Sequence, residues 1–333
     1  MCVSPNTPFP RVLALMSQTY EAILLIAFGG PTSPEEVRPF LARVTKGIPI
    51  PPERLEEVAH HYGAVGGKSP FNEITLRQAA ALESLLKEHN NPLPVYLGLR
   101  HSSPFFAETL RQMANDGVAR ALGFILSSHR TEASWERYQK NIADGRVELG
   151  DHAPKIDYCD GWHDHPLFIQ TWSELIEAAY AKIATDQRDS APLIFTAHSL
   201  PTAMAARSSY VEQLNSSARM IVDKLGHRNW SLAYQSRSGK PTDPWLEPDI
   251  GDALRKLAAE GQKEVVVAPL GFVCDHVEAL YDLDIEARKI AEHLGLRFHR
   301  VSCPNDHPTF IRMMADVIEA ELAGMPEGRD RVK

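Results

Sequence analysis

The chain has 333 residues, 44% hydrophobic and 23% charged, with a formal net charge of −8 at pH 7. That length and composition suit a globular protein with room for two cores. The acidic balance argues against a nucleic-acid partner, because phosphate recognition needs a clustered basic surface and no such cluster occurs.

Residues 1–20 are polar and proline-containing, with neither the long apolar region nor the cleavage site of a signal peptide, so a disordered extension is expected, with Met16 as an alternative start. Strand-like segments then alternate with helical patterns. In the first half the strands are Ala22–Phe28, Val95–Leu99, Ala121–Leu126 and a short one at Ile156–Tyr158. Between them, Pro34–Val44, Ile74–Glu88 and Phe105–Asn115 have helical patterns, the last two with apolar residues at three- and four-residue spacing. In the second half the strands are Leu193–Thr196, Ser231–Gln235, Glu264–Pro269 and Arg297–Arg300. This alternation predicts an α/β fold with parallel sheets. No apolar run approaches the ~20 residues of a membrane-spanning helix.

The halves are punctuated alike. ILLIAFGGP is answered by LIFTAHSLP, YLGLRHSSP by LAYQSRSGKP, and ALGFILSSH by VVVAPLGFVCDH, in the same order. A duplicated domain is the natural interpretation, although any two α/β halves share some strand–turn grammar. The polar, helix-breaking stretch 185–191 sets the boundary. It divides the chain into 21–187 and 188–333, the second ending in a helix.

Ligands of open α/β sheets bind beyond the carboxyl ends of the strands, and the cleft between two such domains is the default site. Two residues at these ends carry chemistry: His198 in AHSLP and Glu278 in GFVCDHVEALYDLDIE. Imidazole with carboxylate suits a borderline divalent cation such as Fe²⁺, and neutral imidazole accepts a proton near pH 7. A hydrogen-bonded histidine at a strand end is the plainer alternative. Glu278, Asp282 and Glu286 are spaced by four, which on a helix makes a carboxylate ladder on one face; it is either a conduit for cations or protons, or a solvated acidic surface. Trp135, Tyr138 and Trp245 lie in polar surroundings, as core anchors or against a flat ligand. No GxGxxG, P-loop, GxSxG or HExxH motif occurs. The four cysteines, Cys2, Cys159, Cys274 and Cys303, form no CxxC pair and no disulfide framework, which suits a reducing cytoplasm.

Over nearly all of residues 21–320 the chain resembles a ferrochelatase. The segments that carry the likeness are LLIAFGGPTSPEEVRPFLARVTKG, HHYGAVGGKSPFNEIT, AHSLP, QSRSGKPTDPWLEPDI and PLGFVCDHVEALYDLDIE. The resemblance implies two flavodoxin-like, Rossmann-like halves facing each other across a cleft, with porphyrin and ferrous iron as substrates. It assigns His198 and Glu278 to metal insertion, and Asp282 and Glu286 to an acidic line leading away from them. Phe28, His61, Tyr62, Ser69, Tyr138 and Trp245 fall at porphyrin-side positions. Phe28 departs from relatives that place a tyrosine there as an axial contact to the metal. Some relatives also hold a [2Fe–2S] cluster through one internal cysteine and three near the C-terminus. Here no cysteine follows Cys303, so no cluster is expected, nor any other tightly bound cofactor. A monomer without an integral membrane segment is expected. The FGGP turn and GGKSPFN resemble the branch that uses coproporphyrin III more than the branch with an LNLGGP-like turn. Protoporphyrin IX remains the alternative substrate, and a non-catalytic tetrapyrrole or metal carrier a more distant one. Strand-end arginines such as Arg100 and Arg130 could meet a porphyrin carboxylate.

Overall fold

A computed structural model describes residues 20–48, 50–238 and 242–324. Residues 1–19, with Cys2, Met16 and almost all of the extension expected to be disordered, lie outside the described residues.

The first half runs β1 (Ala22–Ala27), α1 (Pro34–Val44), α2 (Pro52–Ala64), α3 (Phe71–Glu88), β2 (Val95–Leu99), α4 (Phe106–Asn115), β3 (Arg120–Ile125), a π-helix (Glu132–Glu136) continued by α5 (Arg137–Leu149), β4 (Lys155–Tyr158) and α6 (Pro166–Tyr180). A short α7 (Thr185–Arg188) leads into β5 (Leu193–His198), α8 (Thr202–Ala205), α9 (Tyr210–Leu225), β6 (Trp230–Gln235), α10 (Ile250–Ala259), β7 (Glu264–Ala268) and α11 (Val277–Leu280). A second π-helix (Asp282–Ala287) continues into α12 (Arg288–His293), followed by β8 (Arg297–Arg300) and α13 (Pro308–Leu322). All eight expected strands form within two residues of the bounds read from sequence.

They build two four-stranded parallel sheets, ordered β2-β1-β3-β4 and β6-β5-β7-β8. The orders are the same once β5–β8 are matched to β1–β4, which is the architecture a duplicated α/β unit requires. Parallel strands covered on both faces are apolar throughout, and all six residues of β1 are buried. Alternate side chains go to opposite faces. Ala22, Leu24 and Ile26 pack with Phe106, Leu110 and Ile142 of α4 and α5, while Ile23, Leu25 and Ala27 enter a core shared by both halves. Ile194, Val265 and Val267 form the outer core of the second sheet with Leu254 and Leu283.

The shared core has a cause in the chain path. Helix α6 packs against β7, β8 and α9 of the other half, and α13 packs against α3 and β3. Each half thus sends its last helix onto the sheet of the other. These two helices also reveal a fourth internal repeat: residues 164–169 are DHPLFI and residues 306–311 are DHPTFI. Both phenylalanines of the repeat, Phe168 and Phe310, are fully buried. They meet the same Trp162, at ring-centre distances of 5.2 and 5.9 Å.

After β1 the chain turns sharply through Gly29, at φ +88°. A Cβ there would strike the Ser102 hydroxyl, so only glycine suits this turn. Helices α1 and α2 form a small separate cluster, Val37, Phe40, Leu41 and Tyr62, packed against Phe28 and against Val277 of the second half. This flap carries first-half side chains across to the carboxyl ends of the second sheet.

Candidate active site

His198 is the last residue of β5, paired in register with Gln235 of β6. Its Nδ1 lies 2.5 Å from Ser199 O. A carbonyl oxygen can only accept, so Nδ1 is the donor, and in the neutral ring the lone pair is on Nε2. Nε2 faces Glu278, whose Oε1 is 3.8 Å away, and each side chain is about a third exposed, at 33% and 34%. The Tyr210 hydroxyl donates to His198 O at 3.1 Å.

Glu278 is held by its backbone. Gln235, buried at 1% exposure, donates through Nε2 to Glu278 O at 2.6 Å. The Glu278 amide donates to His276 Nδ1 at 3.2 Å, which caps α11. Burial holds the His276 pKa down, so it remains neutral. The carboxylate side chain is left free to face His198. Among the described residues no group of three or more His, Cys, Asp or Glu is placed to hold a metal. The pair therefore offers two protein donors and leaves a cation's other positions to water or substrate.

The acidic ladder is not on the regular helix expected from its spacing. Helix α11 ends after Leu280, and the Glu286 amide donates to Tyr281 O at 3.0 Å, an i→i+5 bond. Such π-helical turns concentrate at functional sites. Asp282 is partly buried and accepts a hydrogen bond from Ser236 Oγ. Its pKa is pushed up to about 8, first by burial and then by the charges of Glu278 and Glu286. Glu286 is exposed, and its pKa is raised mainly by burial of the carboxyl. The ladder thus runs from two partly buried carboxyls, Glu278 and Asp282, to the exposed Glu286. Arg300, at the end of β8, secures it from behind with 2.7 Å contacts to both Asp275 and Asp284.

The first half supplies the facing wall. Phe28 lies at the end of β1 with its ring 4.6 Å from His101 and 6.2 Å from Phe40. Tyr62 is buried against Phe40. Burial, and then the charge of Glu278, raise its pKa, so the flap's hydroxyl and the second half's carboxylate share one electrostatic field. His61 stacks on Tyr281 at 3.7 Å with the rings 10° from parallel. Phe28 and Tyr62 thus share one cluster with Val277, the neighbour of Glu278, and His61 lies on Tyr281, three residues beyond it. Three other positions sit differently. Ser69 is 3% exposed beneath the turn after β1, its hydroxyl accepting from the Phe71 amide at 3.3 Å. Tyr138 is 4% exposed with the Arg100 guanidinium 6.0 Å above its ring. Trp245 belongs to a strip clipped onto residues 199–201: Leu246 N donates to Leu200 O at 2.9 Å, and Ser199 Oγ to Leu246 O at 2.9 Å.

The sequence model of the ferrochelatase family matches residues 20–322. The chain belongs to the ferrochelatase family. It is 41% identical over 314 residues to the coproporphyrin III ferrochelatase of Mycolicibacterium smegmatis, covering 93% of this chain and 92% of the relative. It is also 38% identical over 309 residues to a ferrochelatase of Rhodopirellula baltica, covering 92% and 88%. In structure it is similar to SirB from Bacillus subtilis with Fe3+, with a TM-score of 0.58 at 10% identity, covering 92% of this chain and 97% of that one. At that identity the likeness is one of fold.

Within this ferrochelatase the sequence pattern had left Gln235, His276, Tyr281 and Arg300 unremarked. Gln235 is the one with a legible signal, a polar residue closing an apolar strand opposite His198. The others act through contacts that only the fold creates. Cys274 is fully buried with its thiol pKa pushed up by burial, and its sulfur lies 3.5 Å from Gln78 Nε2. Cys159 and Cys303 are likewise buried thiols. Among the described residues no helix is long and apolar enough to cross a membrane.

Proposed function

We propose that the chain inserts Fe²⁺ into coproporphyrin III in haem biosynthesis, working as a monomer in a reducing cytoplasm without a resident cluster. The two jaws are residues 21–187 and 188–333. The observation that carries the reading is the pair itself: His198 Nε2 lies 3.8 Å from Glu278 Oε1, while Nδ1 on the other side of the ring is tied to Ser199 O. Relatives at about 40% identity that are coproporphyrin III ferrochelatases support coproporphyrin III over protoporphyrin IX.

The chemistry has a simple balance. A metal-free porphyrin and Fe²⁺ yield the iron porphyrin and two protons, the two pyrrole N–H hydrogens. A flat ring keeps its nitrogen lone pairs in plane, so the cleft has to hold it bent, and binding at the ring edges offsets that distortion. Phe28 offers an apolar surface to one face, while His198 and Glu278 meet the other. His198 Nε2 takes a pyrrole proton or contacts iron, and Glu278 shares both tasks. Asp282, with a pKa near neutral, passes protons outward to Glu286. The macrocycle supplies the final ligands, which suits a protein site of two donors only.

The test is an anaerobic assay of purified protein with Fe²⁺ and either coproporphyrin III or protoporphyrin IX, following the haem absorption spectrum. Multiple turnovers with higher kcat/KM for coproporphyrin III are expected. A higher value for protoporphyrin IX overturns the preference, and a product limited to one equivalent overturns catalysis in favour of a carrier.

A further inference from the structure

The carboxyl edge of the first sheet holds two arginines, Arg43 and Arg100, with no carboxylate at ion-pair distance among the described residues. Arg100 follows β2, and its side chain crosses the end of the neighbouring β1. Its Nη1 lies 3.4 Å from Ala133 O, in the π-helix that follows β3 on the far side. The backbone ties it to the cleft floor, since Arg100 N donates to Ala27 O and His101 N to Phe28 O, both at 3.0 Å. Arg43 of α1 reaches the same corner, with Nε donating to His101 O at 2.8 Å and its guanidinium 5.4 Å from the Phe105 ring centre.

Among the described residues neither guanidinium has a carboxylate within ion-pair distance. Burial and then Arg137 work against the charge of Arg100, and only Tyr138 offsets them. His101 lies between the two arginines. Burial, Arg100 and Arg43 push its pKa down to about 3, so it adds no charge of its own. Arg130, the other strand-end arginine, differs: it is 53% exposed and paired with Glu136 at 2.9 Å. In a chain of net charge −8, a partly buried arginine pair with no carboxylate in direct contact is an expensive arrangement. An anion that docked there would recover the cost, because a guanidinium grips a carboxylate with two parallel hydrogen bonds.

We propose that Arg100, backed by Arg43, binds a propionate of the tetrapyrrole and so sets how the ring is turned within the cleft. This rests on the function proposed above and adds the residue that recognises the substrate's carboxylate edge. The aromatic floor of Phe28 is the next strand end along the sheet, so one flat ligand with acidic arms can lie on Phe28 and reach Arg100.

The test compares metal-free coproporphyrin III with its tetramethyl ester, titrated by porphyrin fluorescence against wild type, Arg100→Gln and Arg100→Lys in one detergent buffer. Wild type should bind the acid at least tenfold more tightly than the ester, with the gap shrinking as NaCl is raised. Arg100→Gln should raise the Kd of the acid about tenfold or more and leave that of the ester within about twofold, with Arg100→Lys between. Equal losses for acid and ester would mark Arg100 as merely structural, and an unchanged acid Kd in Arg100→Gln would likewise overturn the proposal. Should the glutamine variant fail to fold, the wild-type acid–ester gap and Arg100→Lys still decide, since no gap sinks the idea. Iron insertion by the same wild-type preparation separates the two readings. Absence of turnover would refute the proposed function, while the acid–ester comparison would still judge the corner.

Discussion

Asp282 carries a carboxyl whose pKa is pushed up to about 8 by burial and by Glu278, against about 3.9 in an unfolded chain. The folded state therefore holds a proton that the unfolded state gives up over that window. A raised pKa means the stability linked to this group is fully present below about pH 4. It is lost as pH rises toward 8, at about 1.4 kcal/mol per unit, and changes no further above that. Asparagine has the same shape, accepts the Ser236 hydroxyl equally well and cannot ionise. Asp282→Asn should therefore be more stable than wild type by at most about 4 kcal/mol at pH 7, the gap widening by up to about 3 kcal/mol between pH 5 and pH 7. Urea unfolding of both proteins at pH 5, 7 and 9 reads this directly. The same variant should turn over more slowly at neutral pH, because a proton carrier is gone, a familiar exchange of stability for function. A stability gap that does not change with pH, or a wild type more stable at pH 7, would refute the reasoning.

His198→Ala should still bind porphyrin but retain less than about a tenth of wild-type kcat, a loss above about 1.4 kcal/mol of transition-state stabilisation, with Glu278→Gln behaving alike; spectroscopic titration and initial rates separate the two effects. Arg300→Met leaves Asp275 and Asp284, at 14% and 26% exposure, without their main counter-charge. At about 3 kcal/mol for a broken buried pair, and roughly 2 °C per kcal/mol in a chain of this size, its Tm should fall by about 6 °C in a thermal melt. A fall below about 2 °C would show that the pairs contribute little. The purified protein should carry no acid-labile sulfide and no matching visible band, which sulfide analysis checks.

The elements and the common plan of the two halves are legible in the sequence alone. Strand β1 is apolar from end to end, and β7 is apolar after Glu264, with Gly29 and Pro269 close behind them, so local pattern is enough to find them. His198 and Glu278 were legible because each follows an apolar strand, and a parallel sheet delivers all such ends to one edge. The FGGP turn was legible for a related reason, since a positive φ at Gly29 is a property of the backbone alone. What the tertiary structure decided was everything set by a partner distant in the chain. The exchange of α6 and α13 between halves depends on which sheet each helix finds, and the sequence pattern of a helix does not name its neighbour. The i,i+4 spacing of Glu278, Asp282 and Glu286 predicted a regular helix. A π-turn forms instead, and Asp282, partly buried and flanked by the charges of Glu278 and Glu286, has its pKa pushed up to about 8. The orientation of the His198 ring depends on where Ser199 O lies, and the want of a paired carboxylate for Arg100 among the described residues depends on what the cleft brings near it. Periodicity records which side of an element faces inward; burial, tautomer and charge balance arise only when elements far apart in the chain close around the same point.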